Sequence, residues 1–344
     1  KIIIVAGLCL SLVFAATACS KSDKSASGGS SDKDKTYNVG ICQLVEHEAL
    51  DAATKGFKEA LTEKLGADNV EFVEQNDALT EKLGDKVKFT EQNAAGDTPT
   101  CATIIDGFVS SNVDLILANA TSPLQAATSA TTTIPVLGTS ITDYATALDM
   151  SDWSGKTGRN ISGTSDLAPL SEQAAMLHEI FPDAKKVGLF YCSAEPNSKY
   201  QVDVMNDELT KLGYTCEYFA FTDSNDIQSV CEKAANASDV IYIPTDNTAA
   251  SSTSVIDNVC RPAKVPVIAG EEGICKGCGV ATLSISYYDL GYTTGEMAYD
   301  ILVNGADITT MDIKFAPNVT KEYNKEICDD LGIKVPDGYE AIAK

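Results

Sequence analysis

Histidine is scarce: the 344 residues contain two, His47 and His178. The sequence has no G-x-S-x-G elbow and no glycine-rich phosphate loop. The usual catalytic sets built on such residues are therefore missing, and an enzyme is not expected. His47, at the start of a helical pattern, is the sole candidate base, and packing or capping is its plainer role. Basic residues are also few, 26 Lys and Arg against 49 Asp and Glu, for a net charge of -23. A nucleic-acid surface needs a basic patch, so nucleic acid is not an expected partner. The single tryptophan, Trp153, lies outside the strand-end loops, which weighs against sugar rings stacked in a cleft. One C-x-x-C exists, Cys275 to Cys278. With no second pair and no paired histidines it does not make a zinc site, and a local disulfide is the plainer reading. No metal and no cofactor are implied.

What is present is an ordinary globular composition, 44% hydrophobic and 22% charged. The length exceeds what one core normally holds, so two lobes are expected. Residues 1–19 read as a targeting segment. A Lys precedes an apolar run, 2–16, which ends in Ala16-Thr17-Ala18-Cys19. The run is short for a membrane span. Cysteine after small residues resembles a bacterial lipobox, although Ala16 stands where leucine is usual. Cys19 is expected to be residue one of the mature chain and to carry a lipid. The alternative is a plain secreted protein. Residues 20–35 contain no apolar side chain larger than alanine and read as a flexible tether.

From Thr36 onward, short β-rich runs alternate with helical patterns, the mark of βαβ units and parallel sheets. Strands are expected at 37–42, 115–118, 134–138, 186–191, 215–221, 240–243, 265–269 and 281–285. Helices are expected between them. A tandem repeat interrupts the pattern: ALTEKLG at 60–66 returns at 78–84, and Val70, Phe72 and EQN at 74–76 return as Val87, Phe89 and 91–93. Two copies are too few for a solenoid. One copy is expected in the sheet, the other on the surface.

Ligands of α/β sheets gather at the carboxyl ends of strands. Polar groups fall at those ends. Gln43, Glu46 and His47 follow the first strand. Thr121 and Ser122 follow the next, with Ser122 before Pro123 reading as a helix cap whose free amides suit a carboxylate. Asp143 ends the loop after 134–138, and Asn197 or Ser198 caps the helix after 186–191. Asp246, Asn247 and Glu271 end later strands; several acids converging on one crevice favour a cationic ligand group.

The segments GICQLVEHEALD (40–51), NAAGD (93–97), ATSPLQAA (120–127), TDY (142–144), SAEPNSKYQ (193–201), PTDN (244–247), AGEEG (269–273) and SYYDLGYTTGEMAYDIL (286–302) together resemble the substrate-binding proteins of ABC importers. The nearest resemblance is to the family that includes binders of tryptophan and other aromatic amino acids. It implies an α/β type I periplasmic-binding-protein fold: two Rossmann-like lobes with parallel sheets, joined by three crossovers near 143, 274 and 306. Lobe one would hold 36–143 and 275–306, and lobe two 144–274 and 307–344. The ligand would sit in the cleft, and closure would present a surface to the permease. The chain would be a monomer held at the membrane by its N-terminal lipid. Backbone amides at Thr121–Ser122, or those before the Asn197–Ser198 helix, would take the carboxylate of an amino acid. Asp246 and Glu271 would take its ammonium, since a buried cation needs a paired charge. Gln43 and Asn247 would complete the hydrogen bonding, and Tyr191 or Tyr287 would line an aromatic pocket. A sugar, nucleoside or peptide ligand on the same fold, or a sensor serving a membrane kinase, are the rival readings.

Overall fold

The fold was obtained as a computed structural model, which describes residues 36–66, 69–73, 86–316 and 319–343. The expected targeting segment, Cys19 and the tether lie outside the described residues. The chain opens with β1 (Thr36–Gln43), whose last five residues are buried, and α1 (Glu48–Leu65). There follow β2 (Val70–Val73), β3 (Lys86–Asn93), α2 (Thr98–Ser110), β4 (Leu115–Asn119), α3 (Thr121–Ala130), β5 (Val136–Ile141), the single turn α4 (Tyr144–Ala147) and β6 (Ile161–Ser165). The chain then crosses to a second sheet. It runs through α5 (Leu170–Ile180), β7 (Lys186–Cys192), α6 (Pro196–Lys211), β8 (Thr215–Phe221), α7 (Ile227–Ala237), β9 (Val240–Ile243), α8 (Asn247–Ala250), α9 (Thr253–Ala263), β10 (Val267–Ala269), α10 (Glu272–Cys278) and β11 (Ala281–Ile285). It returns through α11 (Tyr287–Leu302) to β12 (Lys314–Phe315) in the first sheet. It ends in the second with β13 (Val319–Tyr323), α12 (Lys325–Leu331) and β14 (Glu340–Ala341).

The first sheet has the order β12-β6-β5-β4-β1-β3-β2, with every pairing parallel. The second has the order β14-β13-β11-β10-β9-β7-β8 and is parallel except where β13 lies against β11. Strands covered by helices on both faces are buried throughout, as in LILAN of β4 and VIYI of β9. The eight expected strands fall on β1, β4, β5, β7, β8, β9, β10 and β11.

Three crossings join the sheets, but not where the sequence suggested. They follow β6, β11 and β12, instead of lying near 143, 274 and 306. Lobe one therefore keeps β6, and β11 belongs to lobe two. The misplacement of β6 has a physical cause. ISGTS holds one large apolar residue, yet all five positions are buried. Its hydroxyls are bonded within the protein: Thr164 with Thr139 at 3.2 Å and Thr294 at 2.9 Å, and Ser165 onto the Thr142 carbonyl at 2.9 Å. Hydrogen bonding replaces hydrophobicity there, and periodicity cannot see it.

The repeat also departs from expectation, because both copies enter the sheet. β2 lies parallel beside β3 with Val70 opposite Val87 and Phe72 opposite Phe89, so duplicated residues pair with their own counterparts. On the other side of the sheet, α11 lies directly on α1. A side chain at Gly291 would overlap the Ala53 carbonyl, and one at Gly56 the carbonyl of Tyr288. That close seating ties the returning segment 287–302 to lobe one. The nine described cysteines are free thiols. Cys275 and Cys278 are not bridged; the Cys278 thiol faces the Ile274 carbonyl at 3.4 Å inside its helix. Among the described residues no helix is long and apolar enough to cross a membrane.

Candidate functional site

The strand ends of both sheets meet at a small chamber. Lobe one contributes Ser140 within β5, Thr142 just after it, Asp166 after β6, and His47 before α1. Lobe two contributes Asn197, Thr245 to Asn247 and Glu271. Tyr287 stands at one of the crossings. Asn247 also lines a second, outer chamber, whose walls include Leu44, Val45, Ala95, Ser122 and Ala194.

Three carboxyl groups border the inner chamber, and its walls hold no lysine or arginine. Asp246 is 1% exposed. The Cys192 amide donates to its Oδ2 at 2.6 Å and the Ala249 amide to its Oδ1 at 2.8 Å. Burial, and then the nearby Glu195 carboxylate, push it up to about 8. Glu271 caps α10 by accepting from the Gly273 amide at 2.6 Å and from Ile274. Burial pushes it up to about 7. Asp166 differs from both. The Tyr287 hydroxyl donates to its Oδ2 at 2.8 Å, while Oδ1 has no partner although the residue is 4% exposed. Burial raises it too. The Ser140 hydroxyl is likewise buried without a partner. An ammonium entering this chamber would supply the missing positive charge, and a carboxylate would find the free hydroxyl.

The backbone of lobe one is strained at the same place. Ala120 (φ 96°) ends β4 and Ser140 (φ 56°) lies in β5, both in the left-handed region although neither is glycine. Such strain collects at binding sites, where it aims groups that relaxed backbone would turn away. At Ala120 it directs the chain into α3. The helix starts at Thr121, so Ala120 holds the cap position and Ser122 lies inside the first turn. The expected cap at Ser122 is thereby corrected. Glu195, not Asn197 or Ser198, precedes α6 in the same way.

The structure brings together Asn197, Asp246, Asn247, Glu271 and Tyr287 from the residues expected in the cleft, with Ser122 on the outer wall. The others do not face either chamber. Gln43 is turned into lobe one, where it donates to Asp51 at 2.7 Å and accepts from Thr54 at 2.7 Å. Glu46 is exposed. Thr121 is buried, and Ser198 is buried against Asn197. Asp143 caps α4 through the Thr146 amide at 2.7 Å. Tyr191 packs edge-on against Tyr218 within lobe two. Sequence reasoning missed Asp166, Ser140 and Thr142. It also missed Glu195, whose carboxylate accepts from the Asn247 and Thr248 amides at 3.0 and 2.9 Å and so fixes the start of α8.

The model of one family, ABC transporter substrate binding protein, matches residues 38–344. The chain belongs to that family. It is 36% identical over 303 residues to a tyrosine-binding protein of Clostridioides difficile, covering 86% of this chain and 83% of that one. A solved substrate-binding protein with adhesive properties from Clostridium difficile, in its ligand-free open form, shares 35% identity (TM-score 0.65; 90% of this chain, 99% of that one). A streptococcal ABC domain in complex with L-Trp shares 29% (TM-score 0.79; 88% and 100%). Two sheets joined by three crossings make the type I periplasmic-binding-protein fold. The two lobes of this chain touch across the cleft. Thr142 meets Thr245 across the cleft at 3.5 Å, and Lys276 of α10 pairs with Glu48 of α1 at 2.7 Å.

Proposed function

We propose that this protein is the solute-binding component of an ABC importer and that it captures an amino acid with an aromatic side chain between its lobes. One observation carries the reading: Asp166 offers a buried carboxylate oxygen without a partner to a chamber bordered by two further acids and no fixed cation. The ammonium of the ligand sits against Asp166, with Asp246 and Glu271 behind it. The carboxylate takes the Ser140 and Thr142 hydroxyls, and the side chain extends along Leu44 and Val45 into the outer chamber. The aromatic assignment is supported by the names of the relatives, one tyrosine-binding and one holding L-Trp. The protein works outside the cytoplasm as a monomer, held by a lipid on Cys19 through the tether, and presents its closed form to permease subunits. It binds and releases its ligand unchanged.

Calorimetry with L-tryptophan, L-tyrosine and L-phenylalanine tests this, with sugars and nucleosides as controls. Asp166→Asn should weaken amino-acid binding by about 30-fold or more, the loss expected when a desolvated charge pair is broken, with an unchanged fold. Binding of a sugar or nucleoside instead, or full affinity in the variant, would sink the ammonium assignment.

A further inference from the structure

The inner chamber is closed on one side by a contact that neither capping nor packing requires. His47 precedes α1 of lobe one and makes no side-chain cap there. Its Nε2 lies 3.2 Å from Oδ1 of Asn247 in lobe two. The direction of that bond is fixed by a third residue. Asn247 Nδ2 donates to the buried Glu195 carboxylate at 2.7 Å, and the Asn247 amide does so at 3.0 Å. The Asn247 side chain is therefore oriented with its carbonyl oxygen toward lobe one. His47 must donate, and the imidazole must carry its proton on Nε2.

We infer that His47, Asn247 and Glu195 form a latch that holds the lobes closed over the ligand. The inference rests on the reading that the lobes close around a ligand, but not on which ligand that is. The bond joins a residue of lobe one to a residue of lobe two that is itself fixed by Glu195, so it exists only while the lobes are together. A contact made in the closed form and absent from the open one shifts the population toward closed. His47 is a positioning residue: it acts through its contact with the partner lobe.

The test uses a reporter of closure that works with or without ligand. Glu48→Cys and Lys276→Cys place two thiols across the cleft, where the native pair is 2.7 Å apart. The rate of bridging them with a short bis-maleimide, normalised to labelling of Glu48→Cys alone, follows the closed fraction. In that background His47→Ala should slow bridging about three- to tenfold, the worth of one hydrogen bond. His47→Gln, which keeps a donor and cannot titrate, should restore it. Circular dichroism establishes that each variant is folded. Equal rates for the parent and His47→Ala, or no recovery in His47→Gln, would overturn the latch. If L-tryptophan and L-tyrosine fail to speed bridging while His47→Ala still slows it, the ligand assignment fails and the latch stands.

Discussion

Asp246, Glu271 and Asp166 share one chamber but do different work. Asp246 and Glu271 each hold two backbone amides with their carboxyl oxygens, so they build lobe two before they meet any ligand. Asp166 keeps one oxygen free. Replacing Asp246 should therefore lower both stability and affinity, because it removes a helix cap worth about 0.5–2 kcal/mol. Replacing Asp166 should lower affinity without lowering stability. The raised Asp246 group also makes a pH prediction. Its folded-state value, about 8, lies above that of an unfolded aspartate. Without ligand the folded protein retains a proton that the unfolded chain gives up. The stabilisation that this brings is complete below the unfolded value and is lost as pH rises through about 8. Between pH 7 and 8 that loss continues, and Glu271, raised to about 7, adds to it at the lower end. The melting temperature of the ligand-free protein should fall across that window, and Asp246→Asn should flatten the fall. Parallel profiles for the two proteins would show that Asp246 is charged at neutral pH. The acids at the ends of β9 and β10 could be read from the sequence, because buried apolar strands announce their own ends. Asp166 could not be, since the strand before it is held by hydroxyl bonds and looks like a loop.

At the scale of elements, the tandem repeat offers the most direct experiment. The last turn and a half of α1 reads LTEKLG, and the same six residues recur at 79–84. β3, from the second copy, occupies the position beside β1, while β2 is the outermost strand of the sheet. Deleting 61–78 joins Ala60 to Leu79. This restores the sequence of the helix end and leaves two residues, Gly84 and Asp85, before β3. Such a short connection is usual between a helix and a strand in α/β units. The right-handed path from β1 through α1 to β3 is preserved, and only the edge strand is lost. The shortened protein should fold, keep its ligand affinity, and shift its melting temperature by a few degrees. Aggregation on deletion, or loss of binding, would mean that β2 supports lobe one in a way that its edge position does not suggest. The repeat was plain in the sequence, but its outcome was not. Nothing in the residues says that two strands of duplicated origin will pair with each other in register. That is a consequence of an open sheet edge, which accepts any strand of matching pattern and length.

For the whole molecule, the length pointed to two lobes and the family resemblance implied three crossings, but the crossings lie elsewhere. A crossing is defined by which sheet a strand joins, and membership depends on long-range pairing that local pattern does not encode. β11 was visible as a strand; only its neighbours β10 and β13 assign it to lobe two. The consequence is mechanical. Asp166 begins the first crossing and Tyr287 follows the second, and their 2.8 Å bond ties both at the floor of the chamber. The residue proposed to hold the ligand is thus also seated at the hinge, so binding and closure act on one group. The exposed Glu48–Lys276 pair contributes little to holding the lobes together, since surface ion pairs are worth about 0–1 kcal/mol. Closure then depends on the ligand bridging charged and polar groups of both lobes. Small-angle scattering should show the protein becoming more compact on addition of saturating L-tryptophan or L-tyrosine. Asp166→Asn, given enough ligand to reach the same occupancy, should close less completely, because a neutral amide cannot offer a charge to the ammonium. Tyr287→Phe should preserve the ligand's partner but free the second Asp166 oxygen, loosening the hinge while sparing the binding enthalpy. If both variants compact as fully as the parent at equal occupancy, Asp166 contributes to affinity only, and the force that draws the lobes together lies in the contacts that span Thr142, Thr245 and Gln201.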